Sequence, residues 1–174
     1  MNILVCIKQV PDTTEIKIDP VKHTLIREGV PSIVNPFDAC ALEMAVRLKE
    51  KEGGKVIVIS MGPAQAKNAL KECLAVGADQ AFLVTDRAFG GSDTLATSYI
   101  LSRAIAAVEA KIGEKFDLIF CGKQAIDGDT AQVGPEIAEH MDLPHVTLAT
   151  AVEMADGKLH VTRDTDEGHD LVEV

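Results

Sequence analysis

Short apolar runs alternate with amphipathic stretches along the first 143 residues. Four of the runs have the length of buried strands: residues 3–7, 56–60, 81–84 and 118–121. Near-continuous apolar runs of this kind are typical of parallel strands that are covered on both faces. Apolar residues at helical spacing occupy the segments between them. The pattern predicts an α/β domain, with a mostly parallel sheet and helices on both of its faces.

Capping and helix-breaking residues mark the predicted helix boundaries. Asn35 as N-cap, Pro36 at the first position and Asp38 in the first turn predict a helix start, and Gly53 predicts its end. The remaining helices are predicted from about residue 63 to 77, from 95 to 111, and from about 131 to 142.

Alternating patterns predict additional, antiparallel strands. Residues 16–19 and 24–27 flank a turn and read as a hairpin insertion. Near the C-terminus, strands are predicted around 146–148 and 159–161, the second after an Asp156-Gly157 turn. Residues 170–174 have the pattern of a strand that stops midway. All 174 residues are predicted to form one domain.

Composition narrows the classes of function. A net charge of −10 argues against nucleic acid and against anionic membrane surfaces as partners. No run of 18 apolar residues occurs and the N-terminus has no signal-peptide pattern, so we expect a cytoplasmic protein. The four cysteines form no C-x-x-C pair and are expected to be buried free thiols. The five histidines show no metal-ligand spacing, and no metal site is predicted.

The segment 116–135, FDLIFCGKQAIDGDTAQVGP, carries the strongest chemical signal. Its apolar run stops at Gly122, a polar loop follows, and Asp129 or Thr130 is expected to cap a helix beginning near Ala131. This strand–loop–helix arrangement holds phosphate with backbone N–H groups and a helix N-terminus. It matches neither the Walker loop nor G-x-G-x-x-G. The pattern predicts a nucleotide loop, in which Lys123 either neutralises a phosphate or is solvated.

Other loops are expected at the same sheet edge, because ligands of open parallel sheets bind at the carboxyl ends of strands. These are residues 9–11, 61–63 and 86–94, with Asn35 beside them. Each also has a simpler reading as a βα turn or helix cap, and 127–129 could be an acidic metal loop. No G-x-S-x-G or Cys–His arrangement supports a hydrolase, so binding is predicted and no catalytic residue is assigned.

Four motifs in chain order resemble the β subunit of electron-transfer flavoprotein: VCIKQVPD at 5–12, NPFD at 35–38, MGP at 61–63 and CGKQAIDGD at 121–129. The resemblance implies a Rossmann-like domain that pairs with a larger, FAD-carrying α subunit and holds AMP in single-flavin members. By motif position, the implied cofactor contacts are Cys6, Asn35, Pro36, Phe37, Asp38, Met61, Gly122, Lys123, Gln124, Ala125, Ile126, Asp127, Gly128, Asp129, Thr130, Ala131, Gln132 and Val133.

A second segment, DRAFGGSDTLATS at 86–98, is similar to that of electron-bifurcating members. The likeness implies FAD instead of AMP in this subunit, NADH as donor, and ferredoxin or flavodoxin as one acceptor. The other electron reaches an acyl-CoA dehydrogenase through the α-subunit FAD. Arg87 would lie near the polar edge of the flavin, and Thr94 and Thr97 would bond its ribityl chain or pyrophosphate. The simpler alternative is an exposed arginine and helix-capping hydroxyls.

Other functions remain open at this point. The runner-up is a single-flavin β subunit that binds structural AMP and accepts electrons from acyl-CoA dehydrogenases. A stand-alone adenine-nucleotide-binding stress protein or ATP hydrolase is disfavoured, because residues 122–125 do not supply the glycine run that the stress-protein type requires. A purely structural subunit is the third option. Members of the resembled family continue past position 174 into a docking segment and an arm, so we expect this chain to lack both. It is expected to be an electron carrier that oxidises NADH only within a heterodimer.

Overall fold

A computed structural model describes residues 1–12 and 31–174. In chain order the elements are β1 (Asn2–Cys6), β2 (Gln9–Pro11), β3 (Ser32–Val34), α1 (Pro36–Glu52), β4 (Lys55–Met61), α2 (Lys67–Ala75), β5 (Gln80–Val84), α3 (Thr94–Ile112), β6 (Leu118–Cys121), α4 (Val133–Met141), β7 (Ala149–Ala155), β8 (Lys158–Thr165) and β9 (Gly168–Glu173). Single 3₁₀ turns precede α2 and α3, at Ala64–Ala66 and Arg87–Phe89. The predicted hairpin over 16–27 lies outside the described residues.

The four apolar runs form one parallel sheet in the order β5-β4-β1-β6. Successive residues of a strand point to opposite faces. Ile3, Val5 and Val58 therefore pack on one face with α1 and α2, while Leu4 and Ile57 pack on the other with α3 and α4. Burial of each such side chain stabilises the folded state by roughly 1.5–3 kcal/mol relative to leaving it exposed to water. The predicted α/β class, with helices on both faces of a parallel sheet, is confirmed.

The strand order reverses its direction at β1. From β1 the chain moves outward through β4 to β5, and then returns to place β6 on the other side of β1. Such a reversal leaves a crevice outside the carboxyl ends of the two adjacent strands between which the order reverses, here β1 and β6, and ligands of open α/β sheets bind in such a crevice. In this chain the crevice lies beyond Cys6 and Cys121, the last residues of β1 and β6.

The C-terminal residues form a separate antiparallel meander in the order β7-β8-β9. Asp156 and Gly157 both have positive φ, 54° and 78°, which confirms the turn predicted between β7 and β8. The strand predicted at 146–148 is displaced, since β7 begins at Ala149. Leu148 has φ 57°, a left-handed conformation that interrupts a strand. The predicted strand at 170–174 is confirmed as part of β9, which pairs with β8 over six residue pairs.

Two smaller predictions are wrong. Residues 9–11 are not a loop but form β2, which pairs antiparallel with β3. Cys40 is exposed instead of buried, because α1 turns Leu42 and Ala45 toward the sheet. Cys6 and Cys73 are buried as expected, and Cys121 is partly buried. Within the described ranges, no helix is both long enough and apolar enough to cross a membrane.

Candidate functional site

The loop between β6 and α4, residues 122–132, is anchored by the buried side chain of Asn35. This side chain is 1% exposed; its Nδ2 donates to the carbonyl of Gln124 at 2.8 Å and its Oδ1 accepts from the amide of Ile126 at 3.1 Å. The Asn35 backbone amide donates to the Lys8 carbonyl at 2.9 Å. One residue thus ties the exit of β1, the start of α1 and the loop together. Asn35 holds the predicted N-cap position, but it makes no side-chain capping bond.

Gly122 brings the end of β6 against the start of α1. A Cβ at this position would overlap Asp38 Oδ1 and would lie 2.8 Å from both the Asp38 amide nitrogen and the Phe37 carbonyl carbon. The Asp38 carboxylate accepts from the Lys8 amide at 2.7 Å, and the Asn35 side chain and the Gly122 amide also donate to it. Gly122, which the family resemblance implies as a cofactor contact, therefore serves first a close approach between two parts of the chain.

Burial shifts the titration of Asp38. This side chain is only 6% exposed, and burial raises its pKa from 3.8 to about 6, because the charged form loses water. The hydrogen bonds from Lys8, Asn35 and Gly122 and the positive charge of Lys8 act in the opposite direction, but they offset only part of the effect. The carboxyl group therefore titrates near neutral pH at the edge of the crevice.

The outer part of the loop is held by its own side chains. Lys8 Nζ lies 2.6 Å from Asp127 Oδ1, and Gln124 Nε2 donates to Asp129 Oδ1 at 2.7 Å. Asp129 and Ala131 have φ 55° and 56°, in the left-handed region. Among the described residues no cluster of three metal-ligating side chains forms, and the two acidic residues of this loop have these other partners.

The helix after the loop starts later than predicted. It begins at Val133 with Gln132 in the N-cap position, and neither Asp129 nor Thr130 caps it. Gln132 makes no side-chain capping bond either. The first amides of a helix have no intrahelical acceptor, and Pro135 supplies no N–H. The amides of Val133 and Gly134, with the positive end of the helix dipole, are therefore suited to an anion.

The second predicted part of the site lies at the ends of β4 and β5. Met61 ends β4 and is partly buried. Arg87 is exposed in a 3₁₀ turn that Asp86 caps through the amide of Ala88, at 2.9 Å. Asp93 caps α3 through the amide of Ala96, at 2.8 Å. Thr94 and Thr97 are therefore not the capping residues of this helix.

Glu136 links the starts of α3 and α4, and the sequence reasoning missed it. Its Oε1 accepts from Thr94 Oγ1 at 3.1 Å, whereas its Oε2 is buried with no hydrogen-bond partner among the described residues. Forty-two positions separate the two residues, so no local spacing could have connected them. In sequence, a glutamate in a first helical turn reads only as a favourable charge for the helix dipole.

Cys6 and Cys121 are partners in the register of β1 and β6. Both side chains face the core under α3 and α4. The pKa of Cys6 is raised well above its ordinary value, first by a hydrogen bond between the two thiols and then by burial. Gly134 packs against Cys121, since a Cβ there would lie 3.2 Å from Cys121 Cβ. The cofactor contacts implied for Cys6 and Met61 stay predictions.

The structure thus collects the predicted residues into two groups along one sheet edge. Cys6, residues 35–38 and residues 122–133 surround the crevice between β1 and β6, while Met61, Arg87, Thr94 and Thr97 follow β4 and β5. The Thr94–Glu136 hydrogen bond joins the two groups. A loop and a helix start at the reversal of a parallel sheet are where open α/β domains of this class bind their ligands.

The chain belongs to the electron transfer flavoprotein domain family, whose model matches residues 22–174. This confirms the resemblance found in the sequence. The chain is 60% identical over 174 residues to "Electron transfer flavoprotein subunit beta" of Thermoanaerobacterium thermosaccharolyticum, covering 100% of the chain and 65% of that protein.

Other relatives carry different names. "Caffeyl-CoA reductase-Etf complex subunit CarD" of Acetobacterium woodii is 54% identical, with 100% of the chain and 65% of that protein covered. "Protein FixA" of Azotobacter vinelandii is 53% identical, with 99% of the chain and 62% of that protein covered. The chain therefore spans just under two thirds of the length of these relatives.

The contact of Gly122 with α1 yields a stability prediction. Gly122→Ala should destabilise the fold by about 1–3 kcal/mol, because the added methyl group meets the backbone of Phe37 and Asp38. Urea unfolding measures the loss. Gly128→Ala is the matched control within the same loop, because no atom lies within 4 Å of its Cβ position. Equal stability of the two variants would contradict the packing described for Gly122.

Asp38 yields a pH prediction. Between pH 3.8 and about 6, the native carboxyl keeps a proton that the unfolded chain has lost, so its contribution is full below this window and disappears as the pH rises through it. The unfolding free energy of the wild type minus that of Asp38→Asn should therefore fall by roughly 2 kcal/mol from pH 4 to pH 6, because only the wild type loses this proton. Unfolding curves across this range measure it; a constant difference would refute the assignment.

Proposed function

We propose that this chain forms the nucleotide-holding part of an electron transfer flavoprotein β subunit, which binds FAD and passes electrons within a heterodimer in the cytoplasm. The observation that carries the proposal is the anchoring of the β6–α4 loop by Asn35 at the reversal of the sheet. A loop whose position is already fixed by buried hydrogen bonds loses little conformational entropy when a ligand binds. The partner subunit is the FAD-carrying α subunit.

The adenine-nucleotide end of the cofactor is assigned to the crevice between β1 and β6. The amides at the start of α4 and the polar loop residues from Lys123 to Gln132 would hold the phosphate, with Cys6 and Met61 near adenine. Four features fit an adenine nucleotide here. The start of α4 has no side-chain cap, Lys123 is exposed and could reach a phosphate, the loop is fixed in position, and Gly134 is small. Residues 35–38 would act mainly through the loop, because the Asn35 and Asp38 polar atoms already have partners.

The flavin end of the cofactor is assigned to the segment 86–98. Arg87 is exposed at the carboxyl end of the sheet, and its fixed positive charge suits the polar edge of a flavin ring. Thr94 and Thr97 would bond the ribityl chain or the pyrophosphate, and the unpartnered Oε2 of Glu136 fits a hydroxyl donor of the same chain. A bound flavin would supply the redox chemistry, and these residues would orient it and set its charge environment.

The donor and acceptors follow from the bifurcating assignment. We propose NADH as the electron donor, ferredoxin or flavodoxin as one acceptor, and an acyl-CoA dehydrogenase as the other, reached through the α subunit. The name of the Acetobacterium relative places that protein in a caffeyl-CoA reductase complex, which supports an enzyme of CoA esters as partner.

The alternative is a single-flavin β subunit that holds AMP and accepts electrons from acyl-CoA dehydrogenases. One observation favours it: the crevice between β1 and β6 contains the residues that an adenine nucleotide needs, whereas Arg87 follows β5, at the far edge of the sheet.

Cofactor analysis decides between these functions. The full heterodimer, purified with its cofactors and extracted with acid, should release two FAD and no AMP, and NADH should bleach its flavin absorbance. One FAD with one AMP, and no response to NADH, would establish the alternative. A heterodimer that carries no nucleotide in the β subunit would refute both.

Arg87 tests the position of the flavin. Arg87→Gln should lower the rate of flavin reduction by NADH about tenfold or more, because a bond to a charged group contributes roughly 1.5–3 kcal/mol. Arg103→Gln is the matched control, since Arg103 is also exposed but lies in the third turn of α3. Stopped-flow absorbance measures both rates. Identical rates in the two variants would remove Arg87 from the site.

A further inference from the structure

The thiol groups of Cys6 and Cys121 lie side by side at the crevice between β1 and β6. The two residues are register partners on parallel strands, so both side chains leave the same face of the sheet. Both contact the core cluster of α3 and α4. Cys40 and Cys73 lie on α1 and α2, and neither has another cysteine beside it in this way.

The spacing of the strands disfavours a disulfide between these thiols. Neighbouring strands lie about 4.8 Å apart, and the Cβ atoms of in-register parallel residues keep about that separation. A disulfide requires Cβ atoms at about 3.5–4.5 Å, so it would pull β1 and β6 together against the rest of the sheet. An atom that bonds to both sulfurs and stands between them needs no such movement.

We propose that Cys6 and Cys121 form a vicinal dithiol site that binds trivalent arsenicals and related thiophilic electrophiles. With an arsenoxide, two arsenic–sulfur bonds form while both sulfur–hydrogen bonds and the arsenic–oxygen double bond break. The oxygen leaves as water with the two thiol protons. The arsenic stays trivalent, so the step needs neither oxidant nor reductant.

The two thiols have different access. Cys121 is partly buried and directly precedes Gly122, whereas Cys6 is 9% exposed. Cys121 therefore bonds the reagent first, and Cys6 closes the bridge. The second bond is intramolecular, and its high effective concentration makes the bridged product much more resistant to exchange than an adduct on one thiol. The raised pKa of Cys6 keeps this thiol protonated at neutral pH, which lowers its reactivity toward reagents that need a free thiolate.

A reagent bound to both thiols would compete with a nucleotide in the crevice between β1 and β6, and this expectation rests on the proposed function. A bridge between Cys6 and Cys121 places a bulky group directly before Gly122 and under Gly134, where α4 begins. An adenine nucleotide in the same crevice would compete with the bridging reagent. Formation of the bridge itself does not depend on the nucleotide.

Phenylarsine oxide tests the site in the full-length β subunit within its heterodimer, after removal of the nucleotide. Mass spectrometry of the separated subunits should show one phenylarsenic group on the β subunit, stable to excess 2-mercaptoethanol and removed by dithiothreitol. Cys6→Ala and Cys121→Ala should each lose this monothiol-resistant adduct, and Cys40→Ala should keep it. Cys6→Val, which preserves more of the buried volume, repeats the test, with circular dichroism as the check of folding.

A monothiol-resistant adduct that persists in either folded Cys6 variant or in Cys121→Ala would overturn the proposal, and so would its absence from the wild type. Repeating the labelling with the nucleotide bound tests the other claim. Bridging at an unchanged rate would count against the nucleotide in this crevice and leave the dithiol site standing. If the protein binds the nucleotide but forms no bridge even after the nucleotide is removed, the dithiol site is refuted and the proposed function is not.

Discussion

The contact between the start of α1 and the end of β6 determines the geometry of the whole site. Three residues make it: the Asn35 amide, the Asp38 carboxylate and Gly122, which has no side chain to separate them. Asn35 and Asp38 are buried polar groups, and each would destabilise the fold by about 1–3 kcal/mol if it lost its partners. Their partners are backbone groups of Lys8, Gln124 and Ile126. Satisfying these two side chains therefore places the exit of β1 and the loop at residues 122–132 at the same time.

This arrangement separates the residues that position the loop from those that would bind a ligand. Asn35 and Asp38 use their polar atoms within the protein, and they leave the loop backbone and the start of α4 for an anion. The raised pKa of Asp38 is the energetic consequence, because a carboxylate close to the crevice loses water that three hydrogen bonds only partly replace. The side chains of Asn35 and Asp38 are therefore better suited to supporting the loop at residues 122–132 than to contacting a cofactor directly.

The sequence predicted the parts of the structure that depend on local pattern. Fully apolar runs identified the parallel strands, and Asn35-Pro36-Phe37-Asp38 located the start of α1 to the residue. Features set by distant contacts were missed. The start of α4 follows from left-handed Asp129 and Ala131, and Asp129 is bonded to Gln124 instead of capping the helix. The Thr94–Glu136 bond and the Cys6–Cys121 register join positions far apart in the chain, and no local spacing encodes them.

The width of the sheet bears on the choice between the two candidate cofactors. From β6 across β1 and β4 to β5 there are three strand spacings, or about 14 Å. A mononucleotide centred in the crevice between β1 and β6 leaves the turn of Arg87 beyond β5 uncontacted. A ligand must extend along the carboxyl edge of the sheet to reach both, and the Thr94–Glu136 bond lies between the two ends of that path. Under the proposed function, the loop at residues 122–132 would accommodate either cofactor, and the selection between them would depend on residues 86–98.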